Sequence, residues 1–299
     1  MRISSAQIQN SMLSNLQNGY SEYGRLAQQI ATGKRILQPS DDVIGSVQLI
    51  GLQREQAAIA QYQKNIFNAQ NQLAQAETQL DTMVDMLQRV RELTQSAANG
   101  SVSAGDRAGI IAELSSLRDG LFDLANARNE SGSSLFAGSQ VDKPALVKDE
   151  DGNYIYQGDD LAREVVVGNG VTVSLNEGAD KLFLNGGDFF KQLDDFIILL
   201  EDPDSDVSEA AGALLDRSLE VLDDVSSMIS RIGAKVNLLD QLDNAHSEMN
   251  LYSQEVSNQI ESLDYADAVT RQYSVLMVLQ LQQQSFSKIN SLSLFNYMP

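Results

Sequence analysis

Two apolar ladders with a seven-residue spacing constrain this chain more than any other feature. They lie between Pro39 and Pro144, where no proline interrupts a helix. The first ladder comprises Leu52, Ile59, Ile66, Leu73, Leu80 and Leu87, and the second comprises Tyr62, Ala69, Ala76, Met83, Val90 and Ala97. Because the ladders are offset by three or four residues, they form the a/d pattern of a coiled-coil seam. The pattern predicts a rod-like helix of about 45 residues, about 70 Å long.

The same signal returns after Pro203. One ladder there comprises Leu215, Leu222, Ile229 and Val236, and the other comprises Val225, Ile232 and Leu239. These ladders predict a second rod of comparable length, whose simplest partner is the first rod. A shorter helix, with apolar residues from Ile110 to Leu124, is predicted to return along the first rod after the Gly- and Ser-rich segment 97–106.

Residues 141–188 differ in character from the rods. Val165–Val167 and Val171–Val173 flank a Gly-Asn-Gly turn and predict a β-hairpin. A second hairpin turn is predicted at 148–154, because that segment lacks the glycine and the glutamate that a calcium-binding loop requires. The sequence therefore predicts a mainly α fold, in which N- and C-terminal segments form a long antiparallel coiled-coil rod with a small β-rich insertion at its distal end. The segment 141–206 carries more than half of the net charge of −20, so its surface is expected to face outward.

Both ends of the chain carry apolar stripes with few charges, and no acidic residue follows Asp267. Uncharged faces suit burial among copies of the same protein, where a charge would be costly. The ends are expected to be weakly ordered in the free subunit and ordered on assembly. The predicted assembly interface comprises Leu13, Leu16, Tyr20, Tyr23, Ile30, Val269, Tyr273, Leu276, Leu279, Phe286, Leu292, Leu294 and Phe295.

A charged turn connects the first terminal helix to the first rod. Its Gly-Lys-Arg sequence suggests a phosphate-binding loop, but Gln28 replaces the required glycine and Arg35 replaces the required hydroxyl. The segment is instead predicted to be a joint, in which a glycine ends one helix, basic residues complement its negative end, and Ser40 or Asp41 caps the next helix. The predicted joint comprises Gly33, Lys34, Arg35, Pro39, Ser40, Asp41 and Asp42.

The composition argues against an enzyme, a cofactor or a metal site. The chain has no cysteine, no tryptophan and one histidine, and His246 is expected to be a half-buried seam residue with a hydrogen bond. The net charge of −20 opposes nucleic acid binding. The chain contains no run of about 18 apolar residues, so no membrane span is predicted. No apolar signal-peptide core begins the chain, so the protein is expected to be cytosolic or to leave the cell without a cleaved signal.

Arg89 and Arg91 leave two alternatives open. They can lie on a solvated helix face and form ion pairs, with Asp85 as the nearest candidate for Arg89, or they can be presented to an outside partner. The first alternative is favoured.

Several segments resemble bacterial flagellins. The segment IATGKRILQPSDDVIGSVQL resembles the N-terminal flagellin signature, LQRVRELTQSAANGS the end of the long flagellin helix, and IESLDYADAVTR the stretch before the last helix. SLFAGSQ and RIGAKVNLLD fit as well, so that the resemblance covers about residues 1–140 and 190–299. The closing NSLSLFNYM and the small insertion are more similar to hook-associated members of this family than to the filament subunit.

The resemblance implies a structural adaptor at the hook–filament junction that is exported through the flagellar channel and located outside the cell. The expected partners are other copies of the chain, a second hook-associated protein, flagellin, and an export chaperone at the C-terminal helical region. The expected layers are terminal segments 1–42 and 258–299 in an inner tube, rod segments 43–140 and 189–257, and the exposed insertion 141–188. The alternatives are a filament flagellin and a coiled-coil scaffold with no flagellar role. The resemblance also overlaps a segment around Arg89 that innate immune receptors read in flagellins.

Overall fold

The computed structural model describes residues 5–99, 104–202 and 205–295. The fold is mainly α, as predicted. The helices are α1 (Ser5–Thr32), α2 (Val43–Ala98), α3 (Ala104–Ala125), α4 (Asp180–Phe183), α5 (Phe189–Glu201), α6 (Ser208–Glu261) and α7 (Tyr265–Phe295). The strands are β1 (Leu146–Lys148), β2 (Tyr154–Tyr156), β3 (Glu164–Gly168) and β4 (Val171–Ser174).

The chain divides into two compact units. The terminal unit comprises Met1–Ala58 and Glu248–Pro299, and the central unit comprises Ile59–Ser247. Both α2 and α6 contribute residues to each unit. The 56-residue α2 is longer than the predicted 45 or so, because it begins at Val43, nine residues before the first ladder position.

The α2 ladder supplies much of the core of the central unit. Ile59, Ile66, Leu73, Leu80 and Leu87 are each at most 2% exposed. The last four belong to one continuous apolar core that also includes residues of α3, α5 and α6. Leu52, the first position of the predicted ladder, is half-buried and lies in the terminal unit.

In α6 the buried ladder lies one residue earlier than the sequence pattern indicated. Leu214, Val221 and Met228 are at most 1% exposed, and the predicted second ladder of Val225, Ile232 and Leu239 is buried with them. The predicted positions Leu215, Leu222, Ile229 and Val236 are half-buried. The last three pack at the margin of the same core, because neighbouring helix positions differ by only about 100° around the axis.

Both predicted hairpins are confirmed. In the first, Leu146 pairs with Tyr156 and Lys148 with Tyr154. In the second, Val165 pairs with Val173, and the register shifts beyond Val166. Gly170 in the turn has a φ of 73°, a conformation that glycine adopts at little cost.

The second hairpin is attached to both long helices of the central unit. The Nε2 atom of His246 donates to the carbonyl of Val167 at 2.7 Å, and the side-chain amide of Asn65 donates to the carbonyl of Val166 at 2.8 Å. The His246 ring also stacks on Tyr62, with 5.4 Å between centroids. The expectation of a half-buried histidine with a hydrogen bond is confirmed.

The predicted insertion shares the core of the central unit. Tyr154, Val167 and Phe183 of this segment are at most 7% exposed and belong to the same apolar cluster as residues of α2 and α6. Phe189, Phe190 and Phe196 of α5, which follows the predicted insertion, belong to that cluster as well. Helix α5, which the sequence patterns did not distinguish from the second rod, packs on α3. The insertion is therefore not a separate globule.

Two charged side chains anchor this region. Arg217 of α6 is 4% exposed, and its guanidinium donates to the carbonyls of Phe183 and Gly187 at 3.1 and 2.9 Å. Asp194 of α5 accepts from Arg118 at 2.5 Å and from Lys148 at 2.7 Å. Burial works to raise the pKa of Asp194, but these two cations outweigh it and lower the pKa below the ordinary value.

Candidate assembly surface

The predicted joint begins where Gly33 ends α1. Gly33 has a φ of 71°, and its amide donates to the carbonyl of Gln29 at 2.8 Å. A Cβ atom at this position would lie 2.8 Å from the Tyr265 hydroxyl. The left-handed backbone and the close approach of Tyr265 both favour glycine, as the sequence pattern predicts for a helix end.

The joint is bonded through its backbone to the connection between α6 and α7. The Arg35 amide donates to the carbonyl of Glu261 at 2.7 Å, and the Leu263 amide donates to the carbonyl of Gly33 at 3.1 Å. The side chain of Gln29, which is 5% exposed, donates to the carbonyl of Arg35 at 2.6 Å. The turns that lead away from α1 and into α7 are therefore held against each other.

Ion pairs reinforce this contact. Lys34 Nζ lies 2.6 Å from Glu261 Oε2, which belongs to the last turn of α6. The guanidinium of Arg35 donates to the Ile260 carbonyl at 3.1 Å and to Asp42 at 3.0 Å. Both basic residues thus act beside the end of α6, whereas the sequence pattern assigned them to the end of α1. The reason is that the backbone turns toward α6 directly after Gly33.

The cap of α2 is Asp42, and the prediction of Ser40 or Asp41 is wrong. Asp42 Oδ1 accepts from the Gly45 amide at 2.9 Å. The pKa of Asp42 is lowered mainly by this hydrogen bond and secondly by the hydrogen bond from the Arg35 side chain. Asp41 instead accepts from the amides of Gln38 and Leu37 at 2.9 and 3.0 Å, and its pKa is lowered by these amides.

The turn around Pro39 explains this difference. The Asp41 amide donates to the carbonyl of Gln38 at 2.9 Å, which closes a turn with Pro39 and Ser40 at its centre. Asp41 completes this turn and also lies 3.5 Å from Arg25 of α1. Its side chain is therefore unavailable to α2, and the following aspartate caps the helix.

Helices α1 and α7 pack on each other along the terminal unit. Leu279 of α7 is 3% exposed, and its side chain fills the space beside Gly19 of α1, where a Cβ atom would approach it to 2.6 Å. Leu26 of α1 is 4% exposed and was not among the predicted interface residues. Leu279 therefore belongs to the interior of the terminal unit, because the narrow contact at Gly19 admits its side chain.

The other predicted interface residues lie on or near the surface of this helix pair. Leu13, Tyr20 and Tyr273 are 47%, 53% and 68% exposed. A half-buried set comprises Leu16, Tyr23, Ile30, Val269, Leu276 and Phe286. The side chains of Leu292, Leu294 and Phe295 lie outside the described residues.

Sequence reasoning missed further exposed apolar residues in the terminal unit. Ile8, Met277, Val278 and Leu281 lie on the helix pair, and Val43, Ile44, Val47 and Ile50 lie at the start of α2. The signal that could have found the second group is a run of bulky apolar residues on helix positions that the heptad ladder leaves free.

Arg89 forms ion pairs, but not with Asp85. Its guanidinium lies 2.6 Å from Glu113 of α3 and 2.8 Å from Glu92. Hydrogen bonds to these two carboxylates raise the pKa of Arg89, and the bond to Glu113 has the larger effect. The spacing of four residues between Asp85 and Arg89 favours an ion pair within a helix. Glu113 approaches Arg89 from α3 and forms the ion pair instead.

The described residues contain no group of three or more His, Cys, Asp and Glu side chains suited to a metal ion. Among the helices described, none is both long and apolar enough to cross a membrane. The features that remain as candidates for function are the exposed apolar residues of α1 and α7, the joint, and the start of α2.

Comparison with known proteins agrees with the resemblance to flagellar proteins. The profile of the bacterial flagellin N-terminal helical region matches residues 3–141. Flagellar hook-associated protein 3 of Escherichia coli is 26% identical over 99% of both chains. By contrast, the flagellar filament 30.7 kDa core protein of Treponema maltophilum is 30% identical over only 38% of this chain and 39% of its own length.

A solved structure gives a closer match. A chain of Vibrio parahaemolyticus, described as a flagellar hook-associated protein, is 37% identical with a TM-score of 0.70. The match covers 74% of the present chain and 100% of the Vibrio chain. The long helices, the small hairpins and these relatives place the chain among structural flagellar proteins rather than enzymes. The chain belongs to the flagellar hook-associated protein family.

Proposed function

We propose that this protein is the adaptor that joins a second hook-associated protein to flagellin at the hook–filament junction. One observation carries the proposal: the similarity to flagellar hook-associated protein 3 extends over 99% of both chains. The match to the filament protein of Treponema maltophilum is limited to 38% of this chain.

The proposed arrangement follows the distribution of charge. The terminal segments 1–42 and 258–299, in which basic and acidic residues balance, form an inner tube, in which exposed side chains such as Leu13, Tyr20 and Tyr273 are covered by neighbouring copies. The rod segments 43–140 and 189–257, with the seam described above, form an outer layer. The acidic segment 141–188 faces the exterior. Burying apolar rather than charged side chains between copies avoids a desolvation penalty of several kcal/mol per ion.

The proposed partners are a ring or helical layer of identical copies, a hook-associated protein on one side and flagellin on the other. Export through the flagellar channel and a chaperone bound to the C-terminal helical region belong to the same proposal. Such a chaperone has a chemical reason to bind there, because Met277, Val278 and Leu281 of α7 are 48–65% exposed before assembly.

Deletion of the gene for this chain tests the proposal. Cells without it are expected to carry hooks but no filaments and to release flagellin into the medium, and a plasmid copy of the full chain is expected to restore filaments and swimming. Filaments that persist in the deletion strain would contradict the proposal.

The quantity and location of the protein separate the alternatives. A junction protein is expected in few copies per flagellum, at the end of the filament next to the hook. If immunoblots of sheared filaments show it as the main component, the chain is a filament flagellin, for which the match over residues 3–141 is the supporting observation. If it remains inside the cells, it is a scaffold of another kind.

A further inference from the structure

The first two turns of α2 present their bulkiest side chains to solvent. We call the four residues concerned the α2 patch: Val43, Ile44, Val47 and Ile50 are 65%, 75%, 64% and 45% exposed. The opposite side of the same turns carries Gly45, Ser46 and Leu49, which are buried in the terminal unit. Of the five large aliphatic residues in these turns, only Leu49 faces inward, whereas a surface helix ordinarily turns its apolar side toward the core.

The α2 patch has no evident role within the subunit. Valine and isoleucine are weaker helix formers than alanine, leucine or lysine, so they do not stabilise these turns by propensity. No charged residue occurs between Asp42 and Arg54, and Gln48 is an uncharged polar residue that is exposed in these turns. Single exposed aliphatic residues are ordinary, but four on adjoining positions of one helix indicate a surface that another molecule covers.

A groove between α1 and α7 has the complementary chemistry. It is lined by Met12, Asn15, Val278, Leu281, Gln282 and Ser285, and its cavity volume is about 240 Å³. This volume is many times the roughly 10–15 Å³ that a single water molecule requires, so the groove has room for aliphatic side chains. None of the lining residues is charged.

The distribution of charge indicates that the patch of one copy can contact the groove of a second copy. Two chains that each carry a net charge of −20 repel each other, and this repulsion is smallest at surfaces where neither presents acidic groups. The α2 patch meets this condition, and so does the groove, because no acidic residue precedes Glu22 or follows Asp267.

The two surfaces of one subunit do not cover each other, because the α2 patch and the groove residues Val278 and Leu281 are all exposed in it. Asn15 in the groove lies 17 residues before the end of α1 at Thr32, which corresponds to about 25 Å along the helix. The α2 patch begins on the other side of the joint. A patch that is to fill a groove must therefore find the groove of another subunit.

We propose that the α2 patch of one copy docks into the α1–α7 groove of a second copy. This proposal rests on the proposed function and names the contact between identical subunits within the junction. Because the patch and the groove are different surfaces, the contact is head-to-tail, and its repetition produces a ring or a helical layer rather than a two-fold dimer.

Cross-linking in assembled flagella tests the proposed contact. The chain has no cysteine, so each introduced thiol is the only one in its subunit. Cells lacking the gene receive two copies together: an epitope-tagged chain with Ile44→Cys and an untagged chain with Ser285→Cys. After treatment of isolated flagella with a short bismaleimide, we expect a tagged product of about twice 32.7 kDa that contains both chains. Ile198→Cys replaces Ile44→Cys as the control, because Ile198 is a helical isoleucine that is 64% exposed in the central unit.

Three results would overturn the proposed contact. A dimer formed by Ile44→Cys copies alone would indicate a two-fold contact between patches. A product that joins Ile44→Cys to a different flagellar protein would assign the patch to another partner. The absence of the mixed dimer in cells that swim would exclude the contact while leaving the junction function intact, whereas swimming without any copy of the gene would refute the function itself.

A charge substitution provides a second measurement. Val47→Asp places a carboxylate in the proposed contact and is expected to lower the number of copies retained per flagellum about tenfold or more. Ile198→Asp, the matched control, is expected to leave that number within about twofold. Circular dichroism verifies that both variants remain helical. Retention of Val47→Asp at the level of the control would contradict the proposal.

Discussion

Replacing Gly33 by alanine is expected to weaken the joint without disturbing the rest of the fold. A left-handed backbone costs a residue with a Cβ atom about 1–2 kcal/mol, and Gly33 has a φ of 71°. The added methyl group also meets the Tyr265 hydroxyl at 2.8 Å, but Tyr265 is 54% exposed and its side chain can move aside. The backbone term therefore sets the cost at about 1–2 kcal/mol, which corresponds to a roughly 5- to 30-fold change in the opening equilibrium.

Native-state hydrogen exchange of the full chain measures this change locally. The reporters are the amides of Arg35 and Leu263, which donate to the two backbone bonds that hold the joint. These amides exchange through local opening of the joint, so their exchange is expected to accelerate by roughly 5- to 30-fold in Gly33→Ala. Exchange of amides in the core of the central unit is expected to remain unchanged.

Two control variants separate the causes. Gly24→Ala, at a helical position in α1 with no atom within 4 Å of the added Cβ, is expected to stabilise the helix by about 0.5–1 kcal/mol. Tyr265→Phe removes the close hydroxyl and leaves the next ring atom at 3.8 Å, so Gly33→Ala in that background retains only the backbone cost. If Gly33→Ala leaves exchange at the joint unchanged or slows it, the assignment of Gly33 as a required left-handed residue is refuted.

Three further substitutions test the central unit. Leu214→Ala should lower the free energy of unfolding by about 2–5 kcal/mol in urea titrations and Leu215→Ala by clearly less, because only the first side chain is fully buried; equal losses would contradict the α6 seam. Arg217→Met should cost about 2–4 kcal/mol by removing the donor from the buried Phe183 carbonyl and from the half-buried Gly187 carbonyl. Arg231→Met, at an exposed ion pair, should cost less than about 1 kcal/mol in the same titrations. Asp194 has a lowered pKa in the folded state, so the stability it contributes is present above its unfolded pKa of about 3.9 and is lost as the pH falls through the folded value. Thermal unfolding between pH 6 and about 2 should therefore show a smaller acid loss for Asp194→Asn than for the wild type, and parallel curves would argue against this role.

The sequence was informative wherever one physical pattern had a single solution. In α2 the seven-residue ladder identified the residues that the structure buries, because polar residues occupy most of the alternative positions. In α6 two ladders satisfy the spacing, one starting at Leu214 and the other at Leu215. Which of them faces the core depends on where α3, α5 and the hairpins pack, and spacing alone does not contain that information.

The joint illustrates the same limit at a smaller scale. Gly33 was identifiable because few residues adopt a left-handed helix end. Ser40, Asp41 and Asp42 are all suitable caps, and the choice among them depends on a turn around Pro39 that uses Asp41. The contact with the α6–α7 connection was not predictable, because it joins segments far apart in the sequence, largely through backbone groups, and the ion pair of Lys34 with Glu261 follows no local spacing rule.

That distance in the sequence determines the order in which parts of the subunit can fold. The contact between Arg35 and the Ile260 carbonyl spans 225 positions, and the bond between Gly33 and Leu263 spans slightly more. A chain that emerges N-terminus first from a ribosome or a narrow pore cannot close these bonds until almost all of it is free, and a closure of such length is slow as well as late. The two ends are consequently the last parts to find each other, and a subunit still in transit keeps them separate.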